Sequence, residues 1–158
     1  MSAVAGRIDS RLKELGIVLP APPDPAGNYV PAVRTGDVLF VSAQGPLAGG
    51  EPVYCGKIGR DISVEDGNAA ARLAGLNVLA RVRQALDGDL DRVTGIFKVV
   101  GFMNILPGFT QMPRVLDGAS DILVQAFGDR AKHARAAIGI QALPQNLAIA
   151  VDVTFAVR

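Results

Sequence analysis

The sequence contains few cysteine, histidine and aromatic residues: among 158 residues there are one Cys, one His and no Trp, and 5% are aromatic. A single thiol excludes an internal disulfide and a zinc site built from several cysteines, and no pair of histidines has a metal-binding spacing. The formal net charge of +1 and the few aromatics do not favour a protein that coats nucleic acid. We therefore expect no metal and no cofactor, and nucleic acid is an unfavoured partner.

The sequence also lacks a long apolar run. Charged residues interrupt the first fifteen positions, and no stretch approaches the roughly 20 apolar residues of a membrane-spanning helix. Cys55 lies in a glycine-flanked turn and lacks a nearby basic helix end that would activate it, so we predict no catalytic role for it. The absence of a disulfide framework fits a reducing compartment, which makes the cytoplasm the expected location and a membrane partner unexpected.

What is present suits one globular domain, since 49% of the residues are hydrophobic and 20% are charged. Residues 1–27 are predicted to form an amphipathic helix over 2–15 followed by a proline-rich lead-in. Residues 28–158 are predicted to form the main domain. In the helix, apolar residues recur every three or four positions, which is the spacing of one helical face: Val4, Ile8, Leu12 and Leu15.

The main domain is predicted to have the order β-β-α-β-α-β-β, an α+β fold with two long helices on one face of a mixed sheet. The first helix begins after Ser63, a favourable N-cap, and the second ends before Gly128. The predicted apolar stripe of the first long helix consists of Ala69, Leu73, Leu76 and Ala80, and Ala70, Ala74 and Leu86 are predicted to widen it. The predicted strands cover 29–34, 38–43, 93–104, 136–142 and 148–157, and the second helix covers 113–127.

The last predicted strand alternates between two faces. Its large apolar residues share one face, and the small or polar Ala150, Asp152, Thr154 and Ala156 share the other. Two long helices cover only one face of a sheet, so we expect partner subunits to cover the second face. A sheet with one solvated face is the alternative.

Three segments resemble the RidA/YjgF family, also called L-PSP: His133-Ala-Arg-Ala-Ala-Ile-Gly-Ile-Gln-Ala-Leu-Pro, Val38-Leu-Phe-Val-Ser-Ala-Gln-Gly-Pro-Leu, and the strand 148–155. The likeness covers about residues 28–157. The chain also resembles a longer, less characterised branch of this family. It implies a chorismate-mutase-like fold, assembled as a homotrimer with clefts between subunits. It also implies deamination of reactive enamine or imine intermediates, of the 2-aminoacrylate type, to 2-keto acids and ammonia.

The resemblance also implies roles for individual residues. Arg135 is the expected anchor of a small carboxylate, which a guanidinium binds through two parallel hydrogen bonds, and Asp152 is the expected water-positioning acid. These two are the candidate catalytic residues. The candidate substrate-binding residues are Tyr29, Ala43, Gln44, Asp117 and Ala137. Ala43 and Ala137 stand where the family has glycine and, often, cysteine, and Asp117 lies near a family asparagine.

Each candidate also has a plainer interpretation. Arg135 would form a structural ion pair, with Asp152 as one candidate partner, and Asp152 would otherwise be a solvated or subunit-interface carboxylate. Tyr29 would be an edge aromatic, Gln44 would satisfy backbone groups, and His133 would be a surface or capping residue. No Gly-x-Ser-x-Gly motif or pair of spaced carboxylates indicates another mechanism. The alternatives to a deaminase are a non-catalytic binder of a carboxylate metabolite, an L-PSP-type endoribonuclease and, on fold alone, a chorismate mutase.

Overall fold

The computed structural model describes residues 6–158, which form a mixed sheet with helices packed on one face. The helices are α1 (Arg7–Glu14), α2 (Val64–Ala85) and α3 (Met112–Phe127). The strands are β1 (Ala32–Thr35), β2 (Val38–Gln44), β3 (Leu47–Ala48), β4 (Glu51–Pro52), β5 (Val93–Asn104), β6 (Ala134–Ile140) and β7 (Ile149–Val157). Within residues 6–158 there is no helix long and apolar enough to cross a bilayer.

The predicted N-terminal helix is confirmed over the described part as α1. Ile8 and Leu12 are buried and belong to the main core, as their spacing predicts. Asp91 accepts hydrogen bonds from the backbone N–H groups of Arg7 (2.6 Å) and Ile8 (3.1 Å), which satisfies two donors at the start of the helix. Residues 2–5 of the prediction, including Val4, lie outside the described residues.

The main sheet has the strand order β1-β2-β7-β5-β6. β5 and β6 run parallel and every other neighbouring pair is antiparallel. The β1–β2 hairpin forms as predicted, and its turn includes Gly36 at φ +54°, a conformation that suits glycine. β3 and β4 form a separate two-stranded sheet in the glycine-rich segment, outside the predicted strands.

The strand boundaries differ from the prediction at two places. β1 begins at Ala32 rather than at residue 29, directly after Pro31, which has no N–H to donate. β6 covers Ala134–Ile140 rather than 136–142, because it pairs in parallel with β5 up to the pair Asn104 and Ile140. β5 has the predicted bounds, 93–104, and β7 begins one residue later than predicted.

The two long helices lie on the same face of the sheet. Ser63 Oγ accepts a hydrogen bond from the Asp66 backbone N–H at 3.0 Å, so the predicted N-cap of α2 is confirmed. The predicted stripe on α2 is confirmed in part: Ala69, Leu73 and Leu76 are only half-buried, whereas the residues predicted to widen it, Ala70, Ala74 and Leu86, are fully buried. The fully buried stripe lies one position later and consists of Ala70, Ala74, Val78 and Val82.

α2 and α3 approach each other closely through small residues. A Cβ built on Gly118 would lie 2.0 Å from the carbonyl oxygen of Asn68, so only a glycine fits this contact. Asn68 Nδ2 also donates to the carbonyl oxygen of Arg114 at 2.9 Å. These contacts fix α3 against α2, and α3 in turn presents polar side chains to the edge strand β6.

The opposite face of the sheet is not covered by helices. Val33 and Phe40 are paired across β1 and β2 on that face and are 53% and 49% exposed. Ile138 on β6 shares the face through its pairing with Phe102 and is 40% exposed. The prediction that the two long helices cover only one face of a mixed sheet is therefore confirmed.

Candidate functional site

Arg135 lies on the edge strand β6 and points to the helix-covered side, because its pairing partner on β5 is the buried Val99. Its guanidinium contacts α3. Nη1 forms an ion pair with Asp117 Oδ1 at 2.8 Å and Nη2 donates to the carbonyl oxygen of Pro113 at 3.3 Å. From the sequence, Asp152 is a candidate ion-pair partner of Arg135. That partner is wrong, because Arg135 pairs with Asp117.

The ion pair leaves part of the guanidinium available. Nε of Arg135 makes no hydrogen bond with any residue in the described range 6–158, and the side chain is 28% exposed. Nε and Nη2 share one edge of the planar group, and such an edge accepts a carboxylate through two hydrogen bonds. Asp117 is half exposed, so its attraction for Arg135 is weakened by solvent.

Ser120 and His133 complete the cluster around Arg135. Arg135 Nη1 donates to Ser120 Oγ at 3.2 Å, and Ser120 Oγ lies 3.0 Å from His133 Nε2. His133 Nδ1 lies 2.6 Å from the carbonyl oxygen of Ala131. Sequence reasoning missed Ser120 altogether. The available signal was its spacing of three from Asp117, which places both side chains on one face of α3.

Ala137 lies on the same side of β6 as Arg135, two residues further along. It is half-buried and packs against the core. The structure thus brings together three of the predicted site residues, Arg135, Asp117 and Ala137.

Asp152 lies on the opposite face of the sheet from Arg135. It is paired with Val100 on β5, whereas Arg135 pairs with the next residue, Val99, and neighbouring strand positions point to opposite faces. Burial raises the pKa of the Asp152 carboxyl above its ordinary value of 3.8. Within one chain, the two candidate catalytic residues do not share a site.

Gln44 and Ala43 lie near the other edge of the sheet, at an irregularity in the β2–β7 pairing. Gln44 is 9% exposed, and its Nε2 donates to the carbonyl oxygens of Ser42 (2.7 Å) and Ala43 (3.3 Å). Its Oε1 accepts from Arg81 Nε at 3.3 Å. Gln44 thus satisfies backbone and core polar groups, which is the plainer of its two interpretations, and Ala43 is exposed.

Arg81 connects this edge to the proline-rich lead-in. It is 5% exposed, donates through Nη2 to the carbonyl oxygen of Pro23, and reaches Gln84 Oε1 at 3.1 Å. Burial lowers the pKa of Arg81, and the nearby Tyr29 and Asp24 oppose that effect. Tyr29 itself is 54% exposed.

The candidate residues therefore fall into two groups on one chain. Arg135, Asp117 and Ala137 lie at the β6 edge, while Tyr29, Ala43 and Gln44 lie at the β1–β2 edge, with β7 and β5 in between.

One groove of the chain lies away from Arg135. A groove of about 1060 Å³ runs between α1 and the C-terminal end of α2, lined by Leu12, Arg83 and Asp87 among others. Its mixed charges and open shape do not converge on a reacting atom, so we give more weight to the Arg135 cluster. Among residues 6–158, no three His, Cys, Asp or Glu side chains are grouped to hold a metal ion.

Comparisons with known proteins relate this chain to one family of proteins. A family model described as "YjgF/chorismate mutase-like, putative endoribonuclease" matches residues 9–156. Protein TCP17 of Trypanosoma cruzi is 43% identical over 154 residues, which is 96% of either chain. The crystal structure of Atu1372 from Agrobacterium tumefaciens is 38% identical, covers 95% of this chain and 91% of its own, and superposes with a TM-score of 0.87. E. coli TdcF, crystallised with bound serine, is 22% identical over 87% of this chain and 94% of its own with a TM-score of 0.61, and shares the fold.

Proposed function

Because the chain belongs to the YjgF/chorismate-mutase-like family, also called RidA or L-PSP, we propose that it deaminates reactive imines. The proposed substrates are of the 2-aminoacrylate type, and the products are a 2-keto acid and ammonia. In this proposal Arg135 holds the substrate carboxylate.

The single observation that carries the proposal is that the guanidinium of Arg135 is held in one orientation with a donor left over by residues 6–158. Asp117, Ser120 and Pro113 orient its guanidinium, while Nε makes no hydrogen bond with residues 6–158. A cation held in place whose Nε donor has no partner among these residues binds a carboxylate at low entropic cost, because little side-chain freedom is lost on binding. The bound serine of TdcF also carries a carboxylate, which supports the same ligand class.

The separation of the two residue groups supports a site shared between subunits. Arg135 lies on one edge strand of the sheet, and Tyr29 adjoins the other. In this proposal a second chain beside β6 would bring its own Tyr29 towards Arg135, because within one chain β2, β7 and β5 separate the two groups. We propose a homotrimer with such clefts, in which the exposed Phe40 face, and Asp152 with it, is covered by neighbouring chains.

The chemistry available is orientation, charge stabilisation and proton transfer. Attack of water on an imine needs a fixed carboxylate, a positioned water and a group that accepts and returns a proton. Asp152 stays a candidate for holding the water, contributed to a cleft by a neighbouring chain. The cytoplasmic location and the division of the chain at residue 28 also stay predictions.

The direct test generates 2-aminoacrylate with a dehydratase and traps it with semicarbazide. The purified protein is expected to reduce the amount trapped, and Arg135→Ala is expected to lose that effect. Arg60→Ala removes a 59% exposed arginine elsewhere and serves as the control, with full activity expected. Equal trapping with and without the unmodified protein contradicts the deaminase proposal.

A non-catalytic carboxylate binder is the second candidate. It is favoured by Asp117, which already neutralises Arg135, and by the alanines at positions 43 and 137. Calorimetric titration with pyruvate, 2-ketobutyrate and benzoate decides between the two. Heat of binding that Arg135→Ala abolishes, without any turnover of 2-aminoacrylate, identifies a binder.

The family description also names an endoribonuclease. RNA cleavage that persists through repeated purification and disappears in Arg135→Ala identifies that activity instead.

A further inference from the structure

The hydrogen bonds around Ser120 determine which atom donates in each contact. A backbone carbonyl only accepts, so the 2.6 Å contact between His133 Nδ1 and the Ala131 oxygen places a proton on Nδ1. In the neutral ring Nε2 is then the acceptor. The Ser120 hydroxyl, 3.0 Å away, therefore donates its proton to Nε2.

Arg135 acts on the same hydroxyl from the other side. A guanidinium only donates, so at 3.2 Å its Nη1 gives a hydrogen bond to Ser120 Oγ. Oγ thus accepts from a cation and donates to an imidazole nitrogen. This arrangement stabilises negative charge on Oγ while His133 offers a place for its proton, as in activated hydroxyl groups of enzymes.

We propose that Ser120 and His133 form the proton-transfer pair of the Arg135 site, with Ser120 contacting the reacting atoms and His133 storing the proton behind it. This inference rests on the proposed imine deamination. Ser120 is half-buried on α3, and its Oγ lies within hydrogen-bond distance of the group that would hold the substrate carboxylate.

The first step is addition of water to the imine. The water oxygen forms a bond to the imine carbon, and the C=N π pair moves to nitrogen. The water proton passes to Ser120 Oγ as the Oγ proton passes to His133 Nε2, and the reverse relay then delivers a proton to the nitrogen. The product is a neutral carbinolamine, and His133 is neutral again.

The second step releases ammonia. The carbinolamine hydroxyl gives its proton to the same relay, which returns a proton to the amino nitrogen. The C–N bond breaks with its electron pair leaving on ammonia, and an oxygen lone pair forms the C=O bond. Imine plus water has become 2-keto acid plus ammonia, with no oxidant or reductant required.

The kinetic test separates proton transfer from binding. Ser120→Ala is expected to lower kcat about 100-fold, which is within the usual contribution of general acid–base catalysis. KM should stay within about threefold, because Arg135 still holds the carboxylate. Ser120→Thr keeps a hydroxyl and should retain most of kcat. Ser10→Ala, at an exposed serine of α1, is the matched control and should behave as the unmodified protein.

His133→Gln distinguishes a proton store from a tether between α3 and β6. Glutamine retains a hydrogen-bonding side chain but has no basic nitrogen that takes up a proton, so kcat should fall as far as in Ser120→Ala. Recovery of full kcat in His133→Gln overturns the inference and leaves only a structural role.

The nuclear magnetic resonance test does not depend on turnover. His133 is the only histidine, so ¹⁵N-labelled imidazole gives one set of signals. The inference expects the tautomer protonated at Nδ1, with an Nε2 signal that moves in Ser120→Ala. The tautomer protonated at Nε2, or an unmoved Nε2 signal, overturns it.

The outcomes separate the two proposals. Turnover that survives Ser120→Ala unchanged contradicts the proton-transfer pair and leaves the deaminase standing. Absence of turnover in the unmodified protein contradicts the deaminase. The pair is then judged on the tautomer and the Nε2 shift, which support or overturn it without a substrate.

Discussion

At the scale of single residues, Asp117 and a bound carboxylate compete for one guanidinium. Exposed ion pairs contribute about 0.2–1 kcal/mol, so removing the charge of the half-exposed Asp117 should tighten binding to Arg135 by about 1.4- to fivefold. We expect Asp117→Asn to lower the Kd for pyruvate by that factor in calorimetric titration. Asp121→Asn, at an exposed position on the same helix, is the control. Weaker binding in Asp117→Asn would show that the carboxylate orients Arg135 more than it competes.

Asp152 gives a prediction on stability and pH. Its folded-state pKa is raised by burial above the ordinary 3.8, so the folded state holds the proton more tightly than the unfolded state. The free energy of unfolding must then fall as the pH rises from 3.8 through the raised folded-state pKa, and this group causes no further change above it. Asp152→Asn removes this loss, and we expect a higher thermal midpoint than for the unmodified protein at pH 7.

The gain should disappear as the pH falls below 3.8, where the carboxyl is protonated in both states. Asp129→Asn, at a side chain 93% exposed, is the control. A gain for Asp152→Asn that is independent of pH contradicts the assignment to ionisation.

Residue-level prediction from the sequence reached Arg135 and Asp117 but did not place them in contact. Both came from a family resemblance, and the contact depends on how α3 packs over β6, which no local spacing encodes. Ser120 was missed for the same reason, because a serine inside a helix has no distinctive pattern until its neighbour on another element is known.

At the scale of elements, the contact between α2 and α3 predicts a large effect of a small substitution. Gly118→Ala would gain up to about 1 kcal/mol in helix propensity, but its Cβ would lie 2.0 Å from the Asn68 carbonyl oxygen. Relieving a clash with backbone needs the helices to separate, so we expect a net loss of at least about 2 kcal/mol in urea unfolding.

Gly95→Ala is the matched control for this clash. Its Cβ would meet atoms only at 3.6 Å and beyond, which is ordinary contact, and we expect a change near zero. A stable Gly118→Ala variant would mean that α3 sits further from α2 than described.

The elements were predictable where the sequence pattern was unambiguous. β5 has the predicted bounds because β-branched and aromatic residues fill it, and α3 was predicted to within one residue. The buried stripe of α2 was displaced by one residue, because alanines lie on both sides of it and give no contrast in hydrophobicity. The β3–β4 hairpin was missed because two-residue strands carry no periodicity.

At the scale of the whole molecule, the uncovered sheet face predicts self-association. In the proposed homotrimer, a charge at Phe40 would be buried without a partner, which costs several kcal/mol. We expect the unmodified protein to scatter light with a mass three times the 16.4 kDa chain, and Phe40→Glu to give a single chain.

Val18→Glu tests whether any exposed apolar residue has this effect. Val18 is 84% exposed and lies in the lead-in, so the mass should not change. A single-chain mass for the unmodified protein contradicts the trimer and, with it, the shared cleft.

The place of β7 in the sheet has a consequence for synthesis on the ribosome. β7 is the last of the strands in chain order, yet it lies in the middle of the main sheet, between β2 and β5. Chains emerge N-terminus first, so β2 and β5 have no partner on their inner edges until β7 leaves the exit tunnel. The nascent chain must therefore keep these apolar strands apart from other chains until β7 has emerged, and chains truncated before Ile149 should aggregate.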